Sequence, residues 1–163
     1  QVGDAEIYGL DLSMVLAPES LEGLTVQATF NVNSSEFKNL DPAIETASGM
    51  QEGDRLPLVP ESTLSLAGNY SWSIGGGWLG EASVGYSHIA KQYGQFGTTD
   101  AGDDRDLLRM RVGADNEHFG LWLFGSNLLE ENGAVYVQNP AQGLAFSTQD
   151  YPRQIGVEAS YRY

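Results

Sequence analysis

Along most of this chain apolar and polar residues alternate with a period of two, the spacing that a pleated strand imposes, and nothing keeps a helical period over three turns. Seven stretches carry the pattern. The first, residues 5–16, sets Tyr8, Leu10, Leu12, Met14 and Leu16 against Gly9, Asp11 and Ser13, and the second, 24–33, sets Leu24, Val26, Ala28, Phe30 and Val32 against five polar residues. The third, 62–74, opposes Leu64, Leu66, Tyr70 and Trp72 to Thr63, Ser65, Asn69, Ser71 and Ser73. In the fourth, 78–93, Val84 and Tyr86 oppose Glu81, Ser83 and Ser87. The fifth, 107–115, opposes Leu108, Met110, Val112 and Ala114 to Arg109, Arg111 and Asp115. The sixth, 119–128, is apolar on both faces, which leaves the orientation of Trp122 and Phe124 open. The seventh, 153–163, places Ile155, Val157, Ala159, Tyr161 and Tyr163 opposite Gly156, Glu158, Ser160 and Arg162.

The connections alternate in length: short at 17–23, 75–77 and 116–118, long at 34–61, 94–106 and 129–152. A soluble sandwich has no reason to sort its loops onto two rims, whereas outer-membrane barrels have short periplasmic turns and long extracellular loops. On that assignment Trp72, Trp78, Phe119, Tyr161 and Tyr163 fall at the periplasmic rim and Tyr8, Tyr93 and Tyr151 at the outer one, as two interfacial girdles. The last stretch has eleven residues, and a tilted strand needs about 9–11 to cross a bilayer. The expected fold is all-β: an antiparallel meander of about seven strands, part of a transmembrane outer-membrane β-barrel.

Composition removes several functional classes. With 22 acidic and 8 basic residues the net charge is -14, which repels nucleic acid and anionic lipid surfaces. There is no cysteine, so disulfides and thiolate chemistry are excluded. No apolar run approaches the roughly 20 residues of a membrane-spanning helix, and no signal segment follows Gln1, so the chain reads as mature or truncated. Charged residues are only 18% of the chain, a sparse exterior for a water-facing surface. Gly75-Gly76-Gly77 reads as a turn and no phosphate-binding loop is present. No catalytic constellation and no cofactor motif emerge, so an enzyme is not expected.

Four segments resemble the C-terminal barrel strands of TonB-dependent outer-membrane receptors, in the family's order: IYGLDLS at Ile7, GDRLPLVPESTLSLAGNY at 53–70, SNLLEENG at Ser126 and YPRQIGVEASYRY at 151–163. SNLLEENG lacks the aromatic that often follows the family's Asn-Leu pair. The resemblance implies active uptake of a scarce ligand such as a siderophore-iron complex, cobalamin or a saccharide. It also implies a plug domain and TonB as partners in the full-length receptor, outer-membrane lipid around the barrel, and recognition of the closing strand by the barrel-assembly machinery through Val157, Ala159, Tyr161 and Tyr163. The plug, the TonB-contacting segment and most of the family's roughly twenty-two strands are not in these residues, so the chain reads as a C-terminal fragment. Two rival architectures are a self-contained barrel of about eight strands with a structural or adhesive role, and a soluble β-sandwich burying Leu10, Leu12, Val26, Phe30, Leu64 and Leu66.

Candidate sites are few. Arg109 and Arg111 lie on the polar face of the fifth strand, where a receptor presents them to its plug; pairing with the plug or with Glu81 and Glu158 is the preferred reading over direct contact with an anionic substrate. The acidic loop 98–106, with Asp100, Asp103, Asp104 and Asp106, could offer oxygens to calcium, but it lacks EF-hand spacing, and a solvated outer loop is the default. His88 and His118 are read as interfacial or turn residues. Glu36, Asp41, Glu45, Glu52 and Asp54 crowd loop 34–61 and could help to select a cationic or metal-bearing ligand.

Overall fold

The computed structural model describes residues 3–94, 101–138 and 146–163. In chain order these form β1 (Asp4–Leu16), β2 (Leu24–Lys38), a short helix α1 (Pro42–Ser48), β3 (Ser62–Gly75), β4 (Trp78–Ile89), β5 (Arg105–Asp115), β6 (Phe119–Ser126), β7 (Ala134–Gln138), β8 (Phe146–Gln149) and β9 (Gln154–Tyr161). Seven strands make one antiparallel sheet in the order β1-β2-β3-β4-β5-β6-β9. The remaining two, β7 and β8, pair with each other in the last long connection.

All seven expected strands are present, and their connections keep the alternation of short turns with long loops. The turn after β3 is built from Gly75, Gly76 and Gly77, all with positive φ (98°, 62° and 80°), a run that side-chain-bearing residues adopt only with strain. At the opposite rim β2 runs to Lys38 rather than Asn33. There Asp4 of β1 pairs with Lys38, and the returning loop adds a bond from the Gly53 N–H to the Phe37 carbonyl (3.0 Å) and one from the Phe37 N–H to the Asp54 carbonyl (3.0 Å). β4 stops at Ile89, short of Tyr93, which instead bridges Ala101. β6 stops at Ser126, because Asn127 turns to φ 47° and leaves the extended region.

The register builds two chemically opposite faces. On one, the row Met14, Ala28, Leu66, Tyr86, Leu108 is followed by Leu24, Tyr70, Ala82, Val112, Leu123, Val157. On the other, Thr25, Asn69, Ser83, Arg111, Phe124 and Gly156 line up. Among the described residues nothing covers the apolar face: Leu10, Leu12, Phe30 and Leu66 are exposed, and the buried apolar side chains there are Leu40, Met50 and Trp122, of which two lie in loop 34–61. A β-sandwich would have laid a second sheet over these positions, so that reading is overturned by the single layer. At the short-turn end of the apolar face, Tyr70 stacks on Trp72 (5.4 Å) and Phe119 meets Tyr161 (5.1 Å), an aromatic edge of the interfacial kind. Among the described residues no helix is long and apolar enough to cross a membrane.

Candidate functional site

The polar face gathers its chemistry on β4, β5, β6 and β9. Trp122 stands opposite Gly113 on one side and Glu158 on the other. A Cβ on Gly113 would lie 2.6 Å from the indole, so only glycine lets the ring lie along the sheet, and the Arg111 guanidinium covers it at 3.6 Å from the ring centroid. Arg111 also donates to the Glu158 carboxylate at 3.4 Å. Phe124 lies over Gly156 in the same way, with 2.5 Å to a built Cβ. The orientation of β6 is thereby fixed: Leu121 and Leu123 point to the apolar face, 58% and 51% exposed, while Trp122 is 7% exposed beneath Arg111. Sequence reasoning missed this because both faces of β6 are apolar; the signal lay in the glycines of its partner strands.

Arg109 stands two residues from Arg111 on the same face, opposite Gly85, with its side chain across that glycine. Among the described residues it makes no hydrogen bond or ion pair. Glu81, opposite Ser71 and Gly113, likewise has no ion-pair partner among them. Along the apolar face of β9, Val157 pairs with Leu123, Ala159 with Leu121 and Tyr161 with Phe119, and Tyr163 follows the strand fully exposed.

Above the sheet the described parts of the long connections knit into one cap. Arg105, at the top of β5, forms an ion pair with Asp150 at 2.7 Å in which the guanidinium is almost wholly buried. Asn127 is the cap's hub. Its amide donates to the carbonyls of Glu131 (2.7 Å) and Tyr151 (2.8 Å), and its side-chain oxygen accepts from the Glu131 N–H (2.8 Å). The Glu131 carboxylate accepts in turn from the N–H groups of Gly133 (2.8 Å) and Asp106 (3.2 Å), and these bonds hold its pKa below the usual glutamate range. Asp103 accepts from the Ala134 N–H (2.7 Å) and Asp104 from the Lys91 N–H (2.7 Å), while the Leu58 N–H reaches the Tyr93 carbonyl (2.8 Å).

Asp100, the first acid of the calcium reading, lies outside the described residues, as do Thr98 and Thr99. Of the other three, Asp103 and Asp104 serve backbone amides, whereas Asp106 accepts from the Tyr86 hydroxyl (2.6 Å) and sits 2.9 Å from His88. No group of three acids or histidines that could hold a metal occurs among the described residues. His118 occupies the turn before β6, where its carbonyl accepts from the Arg162 N–H. The acids of loop 34–61 are mostly building material. Asp41 caps α1 by accepting from the Ala43 N–H, Glu52 accepts from the Leu40 N–H, Asp54 from the Gln51 N–H, and Glu36 pairs with Lys38 at 2.9 Å.

Between cap and sheet the polar face holds a cavity of about 400 Å³ whose wall includes Ser87, Arg109, Ser126, Asp150, Tyr151 and Gln154. A second hollow, about 620 Å³, lies further down the same face between Arg109, Arg111 and Glu158. Arg109 borders both.

No protein-family model and no curated protein matches this sequence. Among solved structures, the chain is similar to the ferric yersiniabactin uptake receptor FyuA from Yersinia pestis, with a TM-score of 0.81 and 17% sequence identity. The match covers 98% of this chain and 24% of that one, so the chain spans about a quarter of that receptor's length. A likeness this complete over the chain shows the fold: these residues form an antiparallel sheet like a stretch of wall from the β-barrel of the uptake receptor they match.

Proposed function

We propose that this chain is part of the barrel of a TonB-dependent receptor, a non-enzymatic transporter in the outer membrane of a Gram-negative bacterium. The full-length receptor takes up a scarce ligand such as a siderophore-iron complex, cobalamin or a saccharide, with a plug domain inside the barrel and TonB as its source of energy. The observation that carries this reading is the match of 98% of the chain to an uptake receptor at a TM-score of 0.81. The two-faced sheet supports it. Its apolar face suits lipid, and its polar face, with Glu81, Arg109, Arg111 and Glu158, suits a lumen that encloses a plug. On the same reading Val157, Ala159, Tyr161 and Tyr163 form the exposed apolar set that the barrel-assembly machinery reads.

Deleting the encoding gene tests the proposal. Cells grown in turn with limiting iron chelate, cobalamin or saccharide should lose energised accumulation of one of the three, and collapse of the proton gradient should abolish the same uptake in the parent strain. Unchanged accumulation of all three, or recovery of the protein in the soluble fraction, would refute it.

A further inference from the structure

Of the asparagines in the sequence, Asn132 alone precedes a glycine. The packing of the cap demands that glycine. A Cβ at residue 133 would lie 2.9 Å from the Asp103 Cβ and 3.0 Å from Glu131 Oε1, so a larger residue does not fit. The missing side chain also leaves the Gly133 nitrogen unshielded toward Asn132. Asn132 is exposed, and its carboxamide makes no hydrogen bond among the described residues, while its backbone carbonyl accepts from Gln149 Nε2 at 3.1 Å. An asparagine so placed can react with the chain that follows it. The Gly133 nitrogen, after losing its proton to hydroxide, attacks Asn132 Cγ. An N–Cγ bond forms, the Cγ–Nδ2 bond breaks, and ammonia leaves with a proton from water, which regenerates the hydroxide. Water then opens the cyclic imide at one of its two carbonyls and leaves aspartate, or isoaspartate with the backbone rerouted through Cγ. One water is consumed and one ammonia released, and nothing is oxidised or reduced.

The cap acts on the first of these steps. The Gly133 N–H donates to the Glu131 carboxylate at 2.8 Å, and the Asp103 carboxylate, bound by the Ala134 N–H at 2.7 Å, stands beside the same residue. Deprotonation would set a negative nitrogen against the carboxylate it now bonds, and like charges at that separation repel. A carboxylate stabilised by backbone N–H groups is also too weak a base to take an amide proton itself. We propose that Asn132 is a deamidation site, held closed by Glu131 while the cap is folded. Either product places a further carboxylate next to Glu131 and Asp103. Isoaspartate also lengthens the backbone between Glu131 and Gly133, which draws the Gly133 N–H off its acceptor, so a cap modified in this way stays loosened. The site needs no ligand, plug or energised membrane, and its failure would leave the uptake reading untouched.

The test is the rate at which aspartate and isoaspartate appear at residue 132, followed by peptide mass mapping of the full-length protein held in detergent at mildly alkaline pH. The folded parent should react at least about tenfold more slowly than the same protein unfolded in urea, and Glu131→Ala should recover about tenfold of that difference in the folded state. Glu131→Gln keeps an acceptor for the Gly133 N–H but not the charge, and should fall between parent and Glu131→Ala, which separates repulsion from simple loosening of the loop. Asn127→Ala frees the Glu131 backbone without touching its carboxylate and should also speed the reaction, which keeps the test open if Glu131→Ala does not assemble. Asn132→Gln should abolish the products at this site. Aged parent protein should lose amide-exchange protection at Gly133, and Asn132→Gln aged alongside should keep it. Equal rates in the folded parent and in urea, or an unchanged rate in both Glu131→Ala and Asn127→Ala, would overturn the proposal. So would a slower reaction in Glu131→Ala, which would make the carboxylate a base that assists the attack.

Discussion

A lysine at Leu66 and a lysine at Ser65 should meet opposite fates, because consecutive residues of β3 stand on opposite faces of the sheet. Leu66 pairs with Ala28 and Tyr86 in an apolar row, and Ser65 with Thr29 and Ser87 in a polar one. A lipid-facing lysine well inside the bilayer costs about 2–4 kcal/mol. Leu66→Lys should therefore block assembly of the full-length protein, scored as loss of the heat-modifiable folded band on a gel, while Ser65→Lys should assemble; the reverse result would invert the two faces. Asn127 gives a second contrast. Removing its side chain deletes three hydrogen bonds, each worth about 0.5–1.5 kcal/mol, and leaves a non-glycine residue at φ 47°. Asn127→Ala should raise amide exchange in residues 128–134 and 150–153 and leave the sheet protected, whereas Asn127→Gly relieves the backbone strain without restoring the bonds. Equal loosening of the sheet in Asn127→Ala would show that the cap is not a separate unit. At this scale the sequence was legible wherever one face was polar: Leu66, Val157 and Arg111 stand on the faces their alternation assigns. Trp122 and Phe124 were not legible, since their direction depends on Gly113 and Gly156, which only the strand register places beneath them.

At the scale of elements, periodicity located the strands because each carries its own repeating signal, and it failed at their long-loop ends, where length is set by distant chain. β2 gains its last five residues from β1 and from residues 53 and 54, a dependence that no local pattern announces. Helix α1 did carry local signals: Asp41 as N-cap, Pro42 in the first turn, and Gly49 at φ 73° after its end. Its seven residues are too few to show a period. The β7–β8 hairpin went unread because its strands are short and it is held by Asp103 and Glu131 from outside. That dependence makes the cap sensitive to acid. The hydrogen bonds from Gly133 and Asp106 depress the folded-state pKa of Glu131, so its contribution is present above the ordinary carboxylate range and is lost as pH falls through the depressed value. Protection factors at Gly133 and Asp106 should fall on acidification, and Glu131→Gln should flatten that response. An unchanged profile in Glu131→Gln would place the acid sensitivity on another group.

At the scale of the whole molecule, the described residues form a main sheet with two edge strands, since β1 and β9 each have one neighbouring strand in it. β1 has a neighbouring strand on one side only over residues 5–16, all of them exposed, and an unprotected edge of that length is a template for further strands. In the structure it matches, this stretch accounts for 24% of the chain, and on the proposed reading the remaining strands of the full-length receptor satisfy both edges. The 163 residues refolded alone in detergent should therefore associate. Light scattering corrected for detergent should give a mass well above 17.6 kDa, and the addition of charge along β1, for example Ser13→Lys with Val15→Lys, should lower it. The opposite outcome has a definite meaning. A monomer with slow exchange at both β1 and β9 would mean that the edges close on each other into a seven-stranded barrel, an odd count for a single-chain bacterial barrel. That would move the chain from a segment of a transporter wall to a self-contained barrel, and the polar face from a lumen around a plug to an interior its own side chains must fill.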